Sequence, residues 1–543
     1  MPSKIVNNYL LYFFYASIIL LSIYIFKDYG ISIDEDNVRI IGFLALENIY
    51  NFFDLVLPNK INLIITNQTA HEPEAIPSSG PIFNLIMAFF EIFFNINSSQ
   101  YQFYFRHLST FLLFLLSSFF LFKIILIRYE SYGIAFLGLV FLLISPRIFS
   151  NSFYNSNDIV FLSFALINLY SFIIFFNNAN FTSSTICAFT TAMTINSRIF
   201  GVIFLLLIAF IFLISILRTK TKKKKTLLLI NYIFFSFIFL IISWPYLWTS
   251  PFKNLYLIFT NLNDHSLPIH IFFNTNFYFF KNVPWDYHLQ WIFYTTPFFY
   301  LFLFISGSFF LFNRLISRLF KIKNNTSYHD LWRGNKEAID FIVVLFLFVP
   351  LIFLIDSKKV AYGGWRHLFF IYPFFIIICC NALYRIKTFV YKKKVTYFFM
   401  SCLILSTPNF LWMLKNHPYQ NFYFNFLISS KNIKKNFEVD YFGTSGVHAL
   451  EYILENNSKK LSIYTPNTLD LNLSLQLLDK LNRKRISFTQ RESEADFIIN
   501  NYYDWRGKNK PNEYVFSEDF KLYYEIKIDD LVINSIYKRA SFK

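Results

Sequence analysis

The sequence predicts a polytopic α-helical membrane protein of about eleven spans, with a small α/β domain outside the membrane at its C-terminal end. Three observations predict it. Of the 543 residues 55% are hydrophobic and only 15% charged, where soluble domains carry about 25% charged residues, and the mean hydropathy is +0.41. Apolar runs long enough to cross hydrocarbon recur from residue 8 to residue 414. Beyond about residue 430 the charge rises and those runs vanish.

A helix needs about 20 apolar residues to cross the bilayer core. Such runs lie at 8–26, 106–127, 131–149, 158–176, 182–197, 200–217, 227–248, 290–312, 339–355, 366–385 and 395–414. The first follows Lys4 with no small-residue cleavage site behind it, which predicts a retained span rather than a removed signal peptide. The run at 182–197 is the shortest. Its break from the next run, at Asn196, Ser197 and Arg198, fits either two helices or one broken helix.

Basic residues orient the chain. The connections at 218–226, 313–338 and 385–394 hold Arg218, Lys220, Lys222–Lys225, Arg314, Arg318, Lys321, Lys323, Arg333, Lys336, Arg385, Lys387 and Lys392–Lys394. With eleven spans all three face the cytoplasm, as does the N-terminus, and the C-terminal segment lies outside. The apolar run Pro81–Ile96 would invert everything downstream if it crossed. It is therefore expected to lie on the outer surface, and so is Arg39–Leu57. Both belong to a first outer loop at 27–105.

The region 430–543 reads as a small α/β domain. Helical spacing covers Gly446–Glu455 and Leu469–Leu481, and strands are expected at Leu461–Tyr464, Ile486–Phe488 and Phe497–Ile499. The net charge of +17 would suggest nucleic acid in a soluble protein, but the cytoplasmic loops account for much of it, so no nucleic-acid partner is expected. Cys187, Cys379, Cys380 and Cys402 all sit inside apolar runs and predict no disulfide framework.

The middles of the spans are almost free of charge, and the charged residues gather at the outer ends. Asp34, Glu35 and Asp36 follow the first span; His71 and Glu72 come later in the same loop; Arg106 and His107 open the second. Arg147 closes the third, Asp158 opens the fourth, Arg198 follows the fifth, Pro284, Trp285 and Asp286 precede the eighth, and Trp365, Arg366 and His367 precede the tenth. Any one Arg, His or Trp at a span end is commonly an interfacial anchor. Together they make a polar site at a water–lipid boundary, where a carboxylate can act as general base and Arg can stabilise a phosphate leaving group. That set suits chemistry on a phosphate-bearing lipid.

The segments "SIDEDN", "SSGPIFNLIMAFFEIFF", "YFRHLSTFLLFLL", "SPRIFSNSFYNSNDIVF", "NSRIFG", "VPWDYHLQWIFYTTP" and "YGGWRHLFFIYP" resemble, in this order, motifs of the GT-C membrane glycosyltransferases. That superfamily includes protein O-mannosyltransferases and bacterial lipid A aminoarabinose transferases. The resemblance covers most of residues 1–415, and "FEVDYFGTSGVHALEYI" is similar to the start of the outer domain of bacterial members. It implies a GT-C-like catalytic domain over 1–415 in the inner (plasma) membrane of a bacterium, acting in the cell envelope. The C-terminal domain would be periplasmic or extracellular.

The implied activity is inverting transfer of a hexose or pentose from a polyprenyl-phosphate donor to an acceptor hydroxyl. By matching positions Asp34 is the candidate base, with Glu35 as neighbour and Asp36 as the alternative. Arg106, Arg147, Arg198, Arg366 and His367 are candidates to hold the donor phosphate, and His71, Glu72 and Asp158 are candidates for the acceptor or a metal. No cofactor follows with certainty, because only some members use a divalent metal. The outer domain lacks the β-trefoil of eukaryotic protein mannosyltransferases, which weakens a protein acceptor against a glycolipid or polysaccharide. The alternative is a transporter or flippase of a lipid-linked saccharide, which would place charges near the midplane; this sequence has few there.

Overall fold

The computed structural model describes residues 2–69, 80–219, 221–261, 269–320, 331–357, 362–391, 394–511 and 513–542. It is 68% helical. Among the described residues nine helices are long and apolar enough to cross a membrane, or ten if one bent pair counts as a span. Nine of the predicted runs fall on these helices, the run at 131–149 on the bent pair and the run at 182–197 on a 17-residue helix, with one correction at the prolines, one choice between two alternatives at Arg198 and one group of short helices in the outer loop.

The correction concerns prolines. A residue before proline is pushed out of helical conformation. Ser145 is extended before Pro146, so the run at 131–149 forms two helices, α6 (Tyr132–Leu143) and α7 (Pro146–Tyr154), bent by 63°. Thr296 is extended before Pro297, so the run at 290–312 splits into α13 (Tyr287–Thr295) and α14 (Phe298–Phe320). Trp244 is extended before Pro245 and ends α11 (Lys222–Ser243).

The choice concerns the ambiguous pair around Arg198. It forms two helices, α9 (Phe181–Ser197) and α10 (Val202–Leu217), joined by a tight turn. Both α8 (Asp158–Asn178) and α11 flank α9. Asn168 and Ser171 on α8 bond Thr191 and Thr190. On the α11 side Ser184 bonds the Leu228 carbonyl and Asn196 reaches Ser243, so α9 and α11 run parallel. The short α10–α11 link makes α10 antiparallel to both, so the chain reverses at Arg198. Ser184, Thr185, Thr190 and Thr191, four of the Thr and Ser residues that make this run look weakly apolar, bond its neighbours, as is common between membrane helices.

The short helices lie in the outer loop. There α2 (Glu35–Phe52), α3 (Asn59–Thr69) and α4 (Ile82–Phe93) pack together. Twelve residues of α4 rise only about 18 Å, short of the roughly 30 Å hydrocarbon core. It buries Asn84 and Glu91 and exposes Ile86, Phe89 and Phe93. A further amphipathic helix that the sequence reading missed, α12 (Pro251–Asn261), exposes Phe252, Tyr256 and Phe259.

The remaining long helices are α1 (Pro2–Ile25), α5 (Ser99–Tyr129), α15 (Gly334–Ser357), α16 (Tyr372–Phe389) and α17 (Val395–Lys415). α16, with the 3₁₀ turn Arg366–Ile371 that precedes it, is the axis of the bundle: 94% of its most apolar window is buried. Contacts sort the connections to two ends. At one, Arg128 and Arg314 both pair with Asp340 at 2.5 and 2.7 Å, Lys387 reaches Ser131, and Arg218 bonds the Trp332 carbonyl. The other end carries α2–α4, α7, α12, α13 and the C-terminal region.

That region contains a five-stranded sheet of order β4-β3-β5-β7-β6. The strands are β3 (Leu461–Tyr464), β4 (Ile486–Phe488), β5 (Phe497–Asn500), β6 (Phe520–Ile528) and β7 (Leu531–Arg539). The first three are parallel and match the predicted strands, while β6 and β7 form an antiparallel hairpin that the reading missed. Helix α18 (Ser430–Asn436) leads into the domain, and helix α19 (Gly446–Glu455) is as predicted. The predicted helix 469–481 instead forms two short ones, Leu471–Leu475 and Lys480–Arg483, because Asp470 and Asp479 each cap a new turn.

The sheet is docked on the bundle. Asp529, at the β6–β7 turn, accepts from Trp412 Nε1 and Lys415 Nζ at 2.8 and 2.7 Å, and Ile31 and Phe103 join the domain's core. A hairpin between α12 and α13, β1 (His270–Phe273) and β2 (Asn276–Phe279), bridges to Phe437. All four cysteines are buried free thiols.

Candidate active site

The site begins where the chain leaves α1. Gly30 lies so close to the outer domain that a Cβ there would stand 2.1 Å from the Thr444 carbonyl oxygen. Ile33 N donates to the Phe442 carbonyl at 3.0 Å and Ser32 Oγ to the Tyr154 carbonyl at 3.1 Å. The loop is thus clamped between α7 and the segment before α19. Asp34 then occupies the cap position of α2. Its carboxylate pairs with the Arg366 guanidinium; 32% of the Asp34 side chain is exposed against 5% of Arg366.

The neighbouring carboxylate does different work. Glu35 accepts from Ser32 N at 2.7 Å and meets His107 Nε2 at 2.9 Å, and it is buried. The Glu35 carboxylate thus ties the Ser32 backbone to His107 on α5 at the entry to α2. Asp36 is half-buried one residue further on.

Arg366 is presented by a turn through Gly363 and Gly364, both with left-handed φ. A Cβ on Gly363 would come 2.9 Å from Arg366 Nε, so only glycine leaves the guanidinium its place. The Tyr287 hydroxyl accepts from Gly364 N at 3.0 Å, and Trp365 Nε1 donates to Thr295 Oγ1 at 2.8 Å. The guanidinium lies over the rings of Tyr362 and Phe442. His367 is buried with its ring 4.7 Å from Tyr362.

A second pair stands beside the first. Arg198 meets Asp158 at 2.6 Å across the ends of α8 and α9, and Asn155 Nδ2 holds the other Asp158 oxygen at 2.9 Å. Asp158 is within electrostatic reach of Arg366. The Nε atoms of both Arg366 and Arg198 are buried without a hydrogen-bond partner among the described residues. A buried unmet donor costs about 1–3 kcal/mol.

Arg147 on α7 is the third cation. It is 3% exposed, donates from Nε to the Tyr423 carbonyl at 3.1 Å, and lies 5.0 Å over Trp291 and 4.9 Å over Phe424. Among the described residues no carboxylate pairs with it.

Tyr441 joins these parts: Arg147, Arg366, Asp158 and Glu438 are all within electrostatic reach of its hydroxyl. Burial raises its pKa, and the two arginines oppose the rise. Glu438 is 4% exposed; Oε1 accepts from Phe272 N of β1 at 3.1 Å and Oε2 has no partner among the described residues. Burial pushes its pKa up to about 8, with Arg366 opposing. Asp440, two residues on, accepts from Thr444 and Ser445, backbone and hydroxyl alike, and from Asn501, which fixes the turn into α19.

The fold therefore gathers Asp34, Asp158, Arg147, Arg198 and Arg366 from four separate parts of the chain, with His367 beside them. It holds Arg106 elsewhere, on Glu91 at 2.6 Å and Asn84 at 3.2 Å, with Arg39 on the same Glu91 at 3.0 Å. His71 and Glu72 lie outside the described residues. Among the described residues no group of three or more His, Cys, Asp or Glu is placed to hold a metal ion. Glu438, Tyr441 and Tyr287 were not singled out from the sequence. The one signal for the first two was an acid–aromatic string, Phe437–Phe442, directly before the outer-domain helix. No protein-family model matches this chain, and no curated protein matches it.

Proposed function

We propose that this chain is a membrane glycosyltransferase that moves a sugar from a polyprenyl-phosphate donor to an acceptor hydroxyl at the outer face of a bacterial inner membrane. The observation that carries the proposal is the Asp34–Arg366 pair: a one-third-exposed carboxylate on a buried guanidinium, at the end of the bundle away from the basic loops.

Arg366 and Arg147 would hold the donor phosphate. Arg147 supplies a buried positive charge that no carboxylate balances among the described residues, and Arg366 supplies an unmet Nε–H. Charge-assisted bonds to phosphate are about twice as strong as neutral ones. In this reading Asp34 takes the proton of the acceptor hydroxyl. The oxygen bonds to the anomeric carbon from the side opposite the phosphate, the carbon–oxygen bond to phosphate breaks, and polyprenyl phosphate leaves with both electrons. The configuration inverts.

Arg366 is shared between the Asp34 carboxylate and the position proposed for the donor phosphate, so one guanidinium would hold the base and the leaving group side by side. The charged groups sit at the helix ends and not at the midplane, which favours this reading over a transporter. The sugar would be a hexose or pentose, and the acceptor a glycolipid or polysaccharide before a protein.

The test is transfer from a labelled polyprenyl-phosphate sugar in membranes holding wild type or Asp34→Asn. The variant is expected to lose about 10²–10⁴-fold in rate, the range for a general base. Transfer at the wild-type rate would remove Asp34 from that role.

A further inference from the structure

We propose that Glu438 is a second functional carboxyl of this site, donating a hydrogen bond to the phosphate of the lipid donor beside Arg366. The inference rests on the reading of the site as a polyprenyl-phosphate site and adds to it a residue that the sequence did not offer.

Three observations carry it. Glu438 is buried and belongs to the outer domain's first segment, yet it lies within electrostatic reach of Arg366 at the end of the bundle. Its Oε1 is fixed by Phe272 N at 3.1 Å, while Oε2 has no hydrogen-bond partner among the described residues. A buried oxygen left open in this way needs an explanation. The third observation is its contrast with Asp34. Both carboxyls lie within electrostatic reach of one guanidinium, but Asp34 is partly exposed and paired with it, whereas Glu438 is enclosed.

The protonation state decides the sign. An ionised Glu438 would repel an incoming phosphate; a protonated one offers it an O–H. Burial pushes the Glu438 carboxyl up to about 8, opposed by the Phe272 N–H bond and by Arg366. The groups facing it from other elements are Arg366 from the turn before α16, Tyr287 from α13 and Tyr503 from the loop after β5, with Tyr441 on its own segment. Burial holds all three tyrosines above the ordinary phenol range, so none of them titrates near pH 8. The phosphate itself has its second pKa near 6 and stays dianionic above about pH 7.

The experiment is binding of farnesyl phosphate to the full-length protein in lipid nanodiscs, followed by tryptophan fluorescence between about pH 6.5 and about pH 9.5. Wild-type affinity is expected to hold to about pH 8 and then to fall towards tenfold per pH unit as Glu438 ionises. Glu438→Gln still accepts from Phe272 N and donates from its amide, but it cannot ionise, so it is expected to bind as wild type does at pH 7 and to keep that affinity at pH 9.5. An equal alkaline loss in both proteins overturns the proposal, as does a wild-type affinity that is flat with pH. A folded Glu438→Gln that fails to bind at pH 7 overturns it too. Wild type that binds no farnesyl phosphate at any pH overturns the glycosyltransferase reading itself, a result distinct from the others.

Discussion

The three consecutive carboxylates after α1 differ in role because each step along a helix turns a side chain by about 100°. Asp34 faces Arg366, while Glu35 goes to Ser32 N and His107. Arg106 likewise belongs to a buried three-residue group in which Glu91 balances two arginines. Glu91→Gln would leave Arg39 and Arg106 buried with no carboxylate between them. A loss of about 3–5 kcal/mol is expected, read as a lower unfolding temperature in detergent. If stability does not change, the group is not structural and Arg106 returns as a candidate for the donor phosphate. The sequence showed that acids and arginines collect at one end, because position along the spans is legible. It did not show which acid meets which arginine, because 332 residues separate Asp34 from Arg366 and no local pattern links them. Glu438 was missed for the same reason: its burial depends on a hairpin far back in the chain, at Phe272.

At the scale of the element, hydropathy alone misplaced several boundaries, and proline and serine/threonine chemistry explains them. The breaks before Pro146 and Pro297 leave Arg147 and Trp291 on short helices, where the guanidinium lies 5.0 Å over the indole. The weakly apolar α9 is held by polar contacts on two sides. Thr191 accepts from Asn168 at 2.7 Å and meets Tyr232 at 3.0 Å. Thr191→Val keeps the shape and removes both bonds, and each such bond between membrane helices is worth about 0.6 kcal/mol and at most about 1.7. A drop of about 1–2 kcal/mol in unfolding free energy is therefore expected. Phe189→Leu, at an exposed position on the same helix, should change little. Equal effects from the two substitutions would mean that α9 is held by apolar packing alone. The antiparallel hairpin β6–β7 escaped the sequence reading because its nine-residue strands carry Lys, Glu and Asn among the apolar residues, which hides the alternation.

At the scale of the whole molecule, the contacts sort charge by end. One end joins Arg128, Arg314, Lys336 and Lys387 to the connections that also carry Arg218 and Lys222–Lys225. The opposite end carries the candidate site and the docked sheet. Positive residues are retained on the cytoplasmic side, so the first end is expected to face the cytoplasm and the second the outside. The test needs exposed probes on both ends. Lys223, at the start of α11, and Val515, between β5 and β6, are each exposed. In a background with the four buried cysteines replaced by Ala or Ser, Val515→Cys should react with a membrane-impermeant maleimide in intact cells. Lys223→Cys should react only after the membrane is opened. The reverse pattern would put Asp34 and Arg366 in the cytoplasm, where the donor's sugar would have to be presented on the inner leaflet, and the outer-face assignment would fall while the site's chemistry stood. Labelling of both from outside would mean an even number of crossings from Lys223 to Val515, where α11 and α14–α17 make five. One of those five would then leave the membrane; α16, almost wholly buried in protein, would be the first to re-examine.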